Sequence, residues 1–116
     1  EQIRPIVSYA GKWLEGTPEW VGTTPVCPAE LAEPESTLLR AAALAAFRVM
    51  GCRDYARVDI RLRDGVPYLL EVNANPDISQ GVGLARSAAA AGFDYPALIG
   101  HIIDAARRRT EKRHAA

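Results

Sequence analysis

Arg57-Val-Asp59-Ile-Arg-Leu-Arg-Asp64-Gly65-Val-Pro-Tyr68-Leu-Leu-Glu71-Val-Asn73-Ala-Asn75-Pro76 reads as two short strands joined by a tight turn. Side chains alternate along a strand, so Val58, Ile60 and Leu62 share one face and Arg57, Asp59 and Arg61 the other. In the second strand, Tyr68, Leu70 and Val72 share a face, and Leu69, Glu71 and Asn73 lie opposite. A carboxylate and an amide two residues apart at a strand's end, just before Asn75-Pro76, are an odd choice for packing. Both are oxygen donors.

The turn decides whether the polar residues of the two strands meet. A two-residue loop at Asp64-Gly65 in a regular ladder sets Asp59 opposite Leu70 and puts Glu71 on the wrong face. A three-residue loop, Arg63-Asp64-Gly65, pairs Arg57 with Glu71 and Asp59 with Leu69. Gly65 suits the left-handed position that such a loop requires. This register gathers Arg57, Asp59, Glu71 and Asn73 on one face, with Asp59 diagonal to Glu71 at about 7–8 Å between backbones.

Two carboxylates and an amide oxygen, without His or Cys nearby, suit a hard cation. Mg²⁺ takes one or two carboxylates, keeps waters and completes its shell from phosphate oxygens. Such a site points to phosphoryl chemistry. Arg57 is then the candidate for gripping an anionic intermediate, because a guanidinium stays charged and matches planar or phosphate oxygens. The same pattern also reads as a solvated face with an Arg57–Glu71 pair worth well under ~1 kcal/mol.

Ala-Arg57-Val-Asp59-Ile-Arg-Leu followed by Tyr-Leu-Leu-Glu71-Val-Asn73-Ala-Asn-Pro76 resembles the C-terminal metal-binding hairpin of ATP-grasp enzymes, in the D-alanine–D-alanine ligase-like branch. Ile-Val-Ser-Tyr9-Ala-Gly-Lys12-Trp13, Thr-Pro-Val-Cys27-Pro28-Ala and Ala-Ala-Ala-Ala-Gly-Phe-Asp94-Tyr-Pro-Ala-Leu-Ile extend the likeness over nearly all the chain but its tail. The resemblance implies an α+β fold, an antiparallel sheet with helices packed on one face, forming the C-terminal half of an ATP-grasp fold. It implies that Asp59, Glu71 and Asn73 hold one or two Mg²⁺ ions on the phosphates of the substrate ATP, with Asn73 also on the nucleotide side. Arg57 then contacts the acyl-phosphate or tetrahedral intermediate. Lys12 and Trp13 fall in a flap over the active site and are the candidates there for nucleotide contact. The residues alone also read as a surface lysine beside a tryptophan packed on the sheet edge.

The likeness has departures. In the peptidoglycan ligases the position of Asp77 is normally Gly, and a Ser-Leu pair that grips the second D-alanine is here Val82-Gly83. The metal ligands match and the substrate end does not, so the acceptor is expected to differ from D-alanine.

At 116 residues the chain suffices for one domain with a modest core. Its 14 Lys and Arg balance 14 Asp and Glu, which gives no reason to expect nucleic acid or an anionic membrane as partner. No apolar run approaches the ~20 residues needed to span a bilayer. Cys27 and Cys52 lack metal-site spacing and read as free thiols of a cytoplasmic protein. Glu1 is not an initiator Met and Ile3, Ile6 and Val7 look like a strand under way, so the chain is expected to be the C-terminal fragment of a larger enzyme.

Along the chain, Ile3 to Tyr9 reads as a strand and Gly11 to Pro34 as a long loop with a short strand near Val21. Pro34 to Met50 is a helix with Leu39, Ala43, Phe47 and Met50 inward, closed by Gly51. After the hairpin come a small-residue helix from Val82 to Ala91 and a final helix capped by Asp94, with Leu98, Ile99, Ile102, Ile103 and Ala106 inward and His101 in solvent. Residues 1–106 are thus the ATP-grasp subdomain and 107–116 a basic tail whose end frays.

The expected function is an ATP-dependent carboxylate–amine ligase, acting on a small carboxylate and an amine, with this part inactive without its N-terminal half. One alternative is a non-catalytic binding or docking module. Another is a domain that folds by pairing with its missing half or with another chain, a homodimer included.

Overall fold

The computed structural model describes residues 6–114 in an α+β arrangement: α1 (Tyr9–Trp13), α2 (Pro18–Val21), α3 (Glu33–Val49), β1 (Arg57–Arg63), β2 (Val66–Asn73), α4 (Gly83–Ala90) and α5 (Tyr95–His114). The two strands form an antiparallel hairpin, and α3 lies across both of them. A lone hairpin is marginal in water, so the helix is what gives this one a floor.

Several of these elements start or stop for a local reason. Pro34 sits in the first turn of α3, where its missing N–H costs nothing. Gly51, at φ +64°, ends the helix. Its N–H bonds the Arg48 carbonyl at 3.1 Å and the next N–H, of Cys52, bonds Phe47 at 3.0 Å. That pair of bonds satisfies carbonyls the helix leaves orphaned. The same closure recurs after α4, where Gly92 bonds Ala89 at 3.0 Å and Phe93 bonds Ala88 at 2.9 Å. Asp94 then caps α5 by accepting from the Ala97 N–H at 2.8 Å.

The inward stripe of α3 is Leu39, Ala42, Ala43, Ala46 and Phe47, with Ala46 the most buried at 8% exposure. Met50 is 64% exposed, because the left-handed step at Gly51 turns the chain away one residue later. Ile103, expected inward on α5, is half exposed, whereas Leu98, Ile99, Ile102 and Ala106 are half-buried. Helix α5 packs on α4 and continues through what the sequence sets apart as a basic tail. His101 is exposed as expected, though edge-on to the Phe93 ring at 4.8 Å.

The N-terminal region departs from the sequence reading. Residues 3–5 of the expected first strand lie outside the described residues, and Ile6 to Ser8 are not in a strand. Ser8 instead caps α1, accepting from Gly11 N–H at 3.1 Å. Thr17 caps α2 by accepting from Trp20 N–H at 3.2 Å, in place of the strand expected near Val21. The two short helices pack on each other at Gly11, which is buried. A Cβ there would meet Thr23 Oγ1 at 2.8 Å and the Glu19 carbonyl oxygen at 3.3 Å. Gly11→Ala is therefore expected to destabilise this pair by about 1–3 kcal/mol. Chemical denaturation followed by Trp13 and Trp20 fluorescence checks it, and an unchanged midpoint would refute it.

Candidate metal and phosphate site

The expected three-residue loop is not what the hairpin uses. Asp64 and Gly65 alone form the turn, at φ +51° and +74°, the two left-handed steps whose twist matches the strands. Arg63 pairs with Val66, Leu62 with Pro67, Arg61 with Tyr68 and Ile60 with Leu69. A bulge follows. Asp59 pairs with Glu71, Val58 with Val72 and Arg57 with Asn73, leaving Leu70 as the extra residue in β2. The bulge undoes the face error that a two-residue turn would cause in a regular ladder.

The four polar residues consequently share a face, closer than expected: Asp59 stands directly opposite Glu71 rather than diagonal to it. Val58, Ile60, Leu62 and Val72 are half-buried on the other side. Two carboxylates face to face repel, and Arg57 answers them. Its Nε donates to Asp59 Oδ1 at 2.7 Å and its Nη2 to Asp59 Oδ2 at 3.1 Å, with Nη2 also 3.7 Å from Glu71 Oε1. The hydrogen bonds that Arg57 donates to Asp59 raise its guanidinium above its ordinary value, with partial desolvation opposing and the Asp59 and Glu71 charges adding. Arg57 remains a cation throughout.

Asn73 opens the turn that follows. Its Oδ1 accepts the Asn75 N–H at 3.0 Å, and Asn75 Oδ1 accepts from the Tyr55 hydroxyl at 3.1 Å. Pro76 is buried behind them. Asp77 begins a second such turn, with Oδ1 accepting the Ser79 N–H at 2.8 Å. Hydrogen bonds from the Ser79 hydroxyl and backbone hold the Asp77 carboxyl below its usual range, so it is an anion at neutral pH. Val82, where the resemblance expects Ser, occupies the cap position of α4 and supplies no side-chain cap.

The donor set fits a hard divalent cation: two carboxylates on adjacent strands and an amide oxygen, all oxygen. Among the described residues no three His, Cys, Asp or Glu side chains converge anywhere, and the hairpin itself offers two carboxylates and an amide. An ionised carboxylate has about four lone-pair positions, so the Arg57 bonds leave Asp59 free to take a metal. Lys12 and Trp13 lie in α1, with the ammonium 5.3 Å from the Trp13 ring centre. Among the described residues α1 packs on α2, and no hydrogen bond or ion pair joins Lys12 or Trp13 to the hairpin. The sequence reading missed Tyr55. Asn75 was visible as the end of an Asn-x-Asn-Pro turn, but its partner lies 20 residues back.

Comparison with known proteins covers most of the chain. Residues 6–104 match the family described as the D-ala D-ala ligase C-terminus. The chain is 40% identical over 110 residues to an uncharacterized protein, y4sG, of Sinorhizobium fredii, covering 94% of this chain and 32% of that protein. It is 42% identical over 81 residues to a D-alanine–D-alanine ligase of Bacillus anthracis, covering 70% of this chain and 25% of the enzyme. The crystal structure of a Bacillus anthracis D-alanine–D-alanine ligase complexed with ATP superposes with a TM-score of 0.69 at 37% identity, over 72% of this chain and 30% of that one. The chain thus spans 25–32% of the length of these curated relatives.

Proposed function

Because this chain belongs to the D-ala D-ala ligase C-terminal family, we propose that it forms the metal- and phosphate-binding part of an ATP-dependent carboxylate–amine ligase of the cytoplasm. The observation that carries this reading is the direct Asp59–Glu71 pairing on one face, with Arg57 between the two carboxylates. Asp59, Glu71 and Asn73 would hold Mg²⁺, which supplies charge neutralisation at the phosphate oxygens.

The reaction this suits has two steps. A substrate carboxylate oxygen attacks the γ-phosphorus of ATP, the bond to the β,γ-bridging oxygen breaks, and ADP leaves. An amine then adds to the acyl phosphate, loses its proton and expels inorganic phosphate, leaving an amide. Arg57 serves both steps by matching negative charge on the transferring group and on the tetrahedral adduct. A guanidinium already oriented by Asp59 needs little reorganisation to do so. Lys12 and Trp13 contribute to nucleotide contact from α1 when that helix covers the site.

The acceptor differs from D-alanine in this reading. Asp77 carries a fixed negative charge four residues beyond Asn73, and Val82 has no hydroxyl to offer a carboxylate. The test is phosphate release by the full-length protein with ATP, Mg²⁺ and a panel of acid–amine pairs. Release that requires Mg²⁺ and both substrates supports the ligase. Nucleotide binding without turnover under every pair would replace it with a non-catalytic binding module.

A further inference from the structure

The turn that carries Asn73 is tied to the far end of α5 by a run of side-chain contacts. Arg109 of α5 forms an ion pair with Asp54, 55 residues earlier, in the loop that leads into β1. The side chains are 37% and 17% exposed, so the pair is partly withdrawn from water and its attraction is less screened than at an open surface. Asp54 has φ +66°, and the Tyr55 N–H bonds the Arg53 carbonyl at 2.7 Å. That is a three-residue γ-turn of the positive-φ kind, an uncommon and strained conformation for any residue with a side chain. The turn aims Tyr55 at Asn75, whose N–H in turn holds the Asn73 amide oxygen.

We propose that Arg109 is a positioning residue for the site: by holding Asp54 in its left-handed turn it directs Tyr55 onto Asn75 and so orients Asn73 beside Asp59 and Glu71. The consequence for metal binding rests on the functional reading above, while the mechanical link does not. Without the Arg109 countercharge, Asp54 relaxes to negative φ, the Tyr55 hydroxyl moves off Asn75, and the bond from Asn75 N–H to Asn73 loosens.

The experiment uses the full-length protein and residue-resolved amide exchange by NMR. Arg109→Met and Tyr55→Phe are each expected to speed exchange at the Asn75 N–H by about fivefold, the scale of one hydrogen bond. The amides of the β1–β2 ladder should keep their protection. In an Asp54→Gly background, where positive φ needs no support, Arg109→Met should change Asn75 exchange by less than about twofold. The Mg²⁺ concentration giving half-maximal phosphate release should rise in Arg109→Met with kcat at saturating Mg²⁺ retained. Unchanged Asn75 exchange in Arg109→Met would overturn the proposal, as would equal acceleration along the whole hairpin. Exchange is read without turnover, so a protein lacking ligase activity would refute the functional reading and leave this link standing.

Discussion

Glu71→Gln in the full-length protein is expected to lower phosphate release by about 10²–10³-fold, the range seen when one preorganised electrostatic partner is removed from a reacting centre. Glutamine keeps the shape and one oxygen but loses the charge that must offset a divalent cation. It also upsets the balance with Arg57, which then has Asp59 alone to answer. The fold should scarcely notice. Glu71's side chain is 57% exposed and its contact with Arg57 is 3.7 Å, so its stability contribution is at most a few tenths of a kcal/mol. Phosphate release at saturating ATP and Mg²⁺, beside a thermal melt, separates the two effects. A folded variant with wild-type release would remove this hairpin from the chemistry altogether.

Arg57→Lys is the second large effect, expected at about 10²-fold in kcat with the KM for ATP changed by less than about threefold. The arginine uses two nitrogens on Asp59 while a third contact reaches toward Glu71. An ammonium is a point charge and cannot hold that fork, so the cation survives while its orientation is lost. The loss falls on the charged transition state more than on bound nucleotide, which is why kcat carries it. A larger rise in KM than fall in kcat, from initial-rate measurements against ATP, would place Arg57 on the nucleotide instead.

The shared face of Arg57, Asp59, Glu71 and Asn73 was readable because alternation is a strong signal and Asp64-Gly65 marks the turn. How the face is achieved was not. A regular ladder with a three-residue turn and a bulged ladder with a two-residue turn both bring the polar residues together, and the run Tyr68-Leu69-Leu70 has nothing polar to mark the break. The long helices announced themselves through periodicity and through Gly51, Gly92 and Asp94. Helices α1 and α2, of five and four residues, are too short to show a period, and their caps Ser8 and Thr17 emerge only in the structure. Beyond Ala106 the charge density reads as a fraying tail, although Arg, Glu and Lys are good helix formers and the helix runs on. The Arg109–Asp54 and Tyr55–Asn75 contacts join residues far apart in sequence, and no local pattern encodes them.

The bulge also says where this hairpin has slack. Since Leu70 is unpaired and 64% exposed, a chain lacking it could close into an uninterrupted ladder with Asp59 still opposite Glu71 and Ile60 still opposite Leu69. Removing a residue from the turn has no such remedy, because two residues already bridge the strands at their tightest. Length variation in hairpins of this design therefore belongs inside the second strand. A one-residue gap aligned at Leu70 keeps the four polar residues in correspondence, whereas the same gap drawn at Asp64-Gly65 would shift Asp59 off its counterpart.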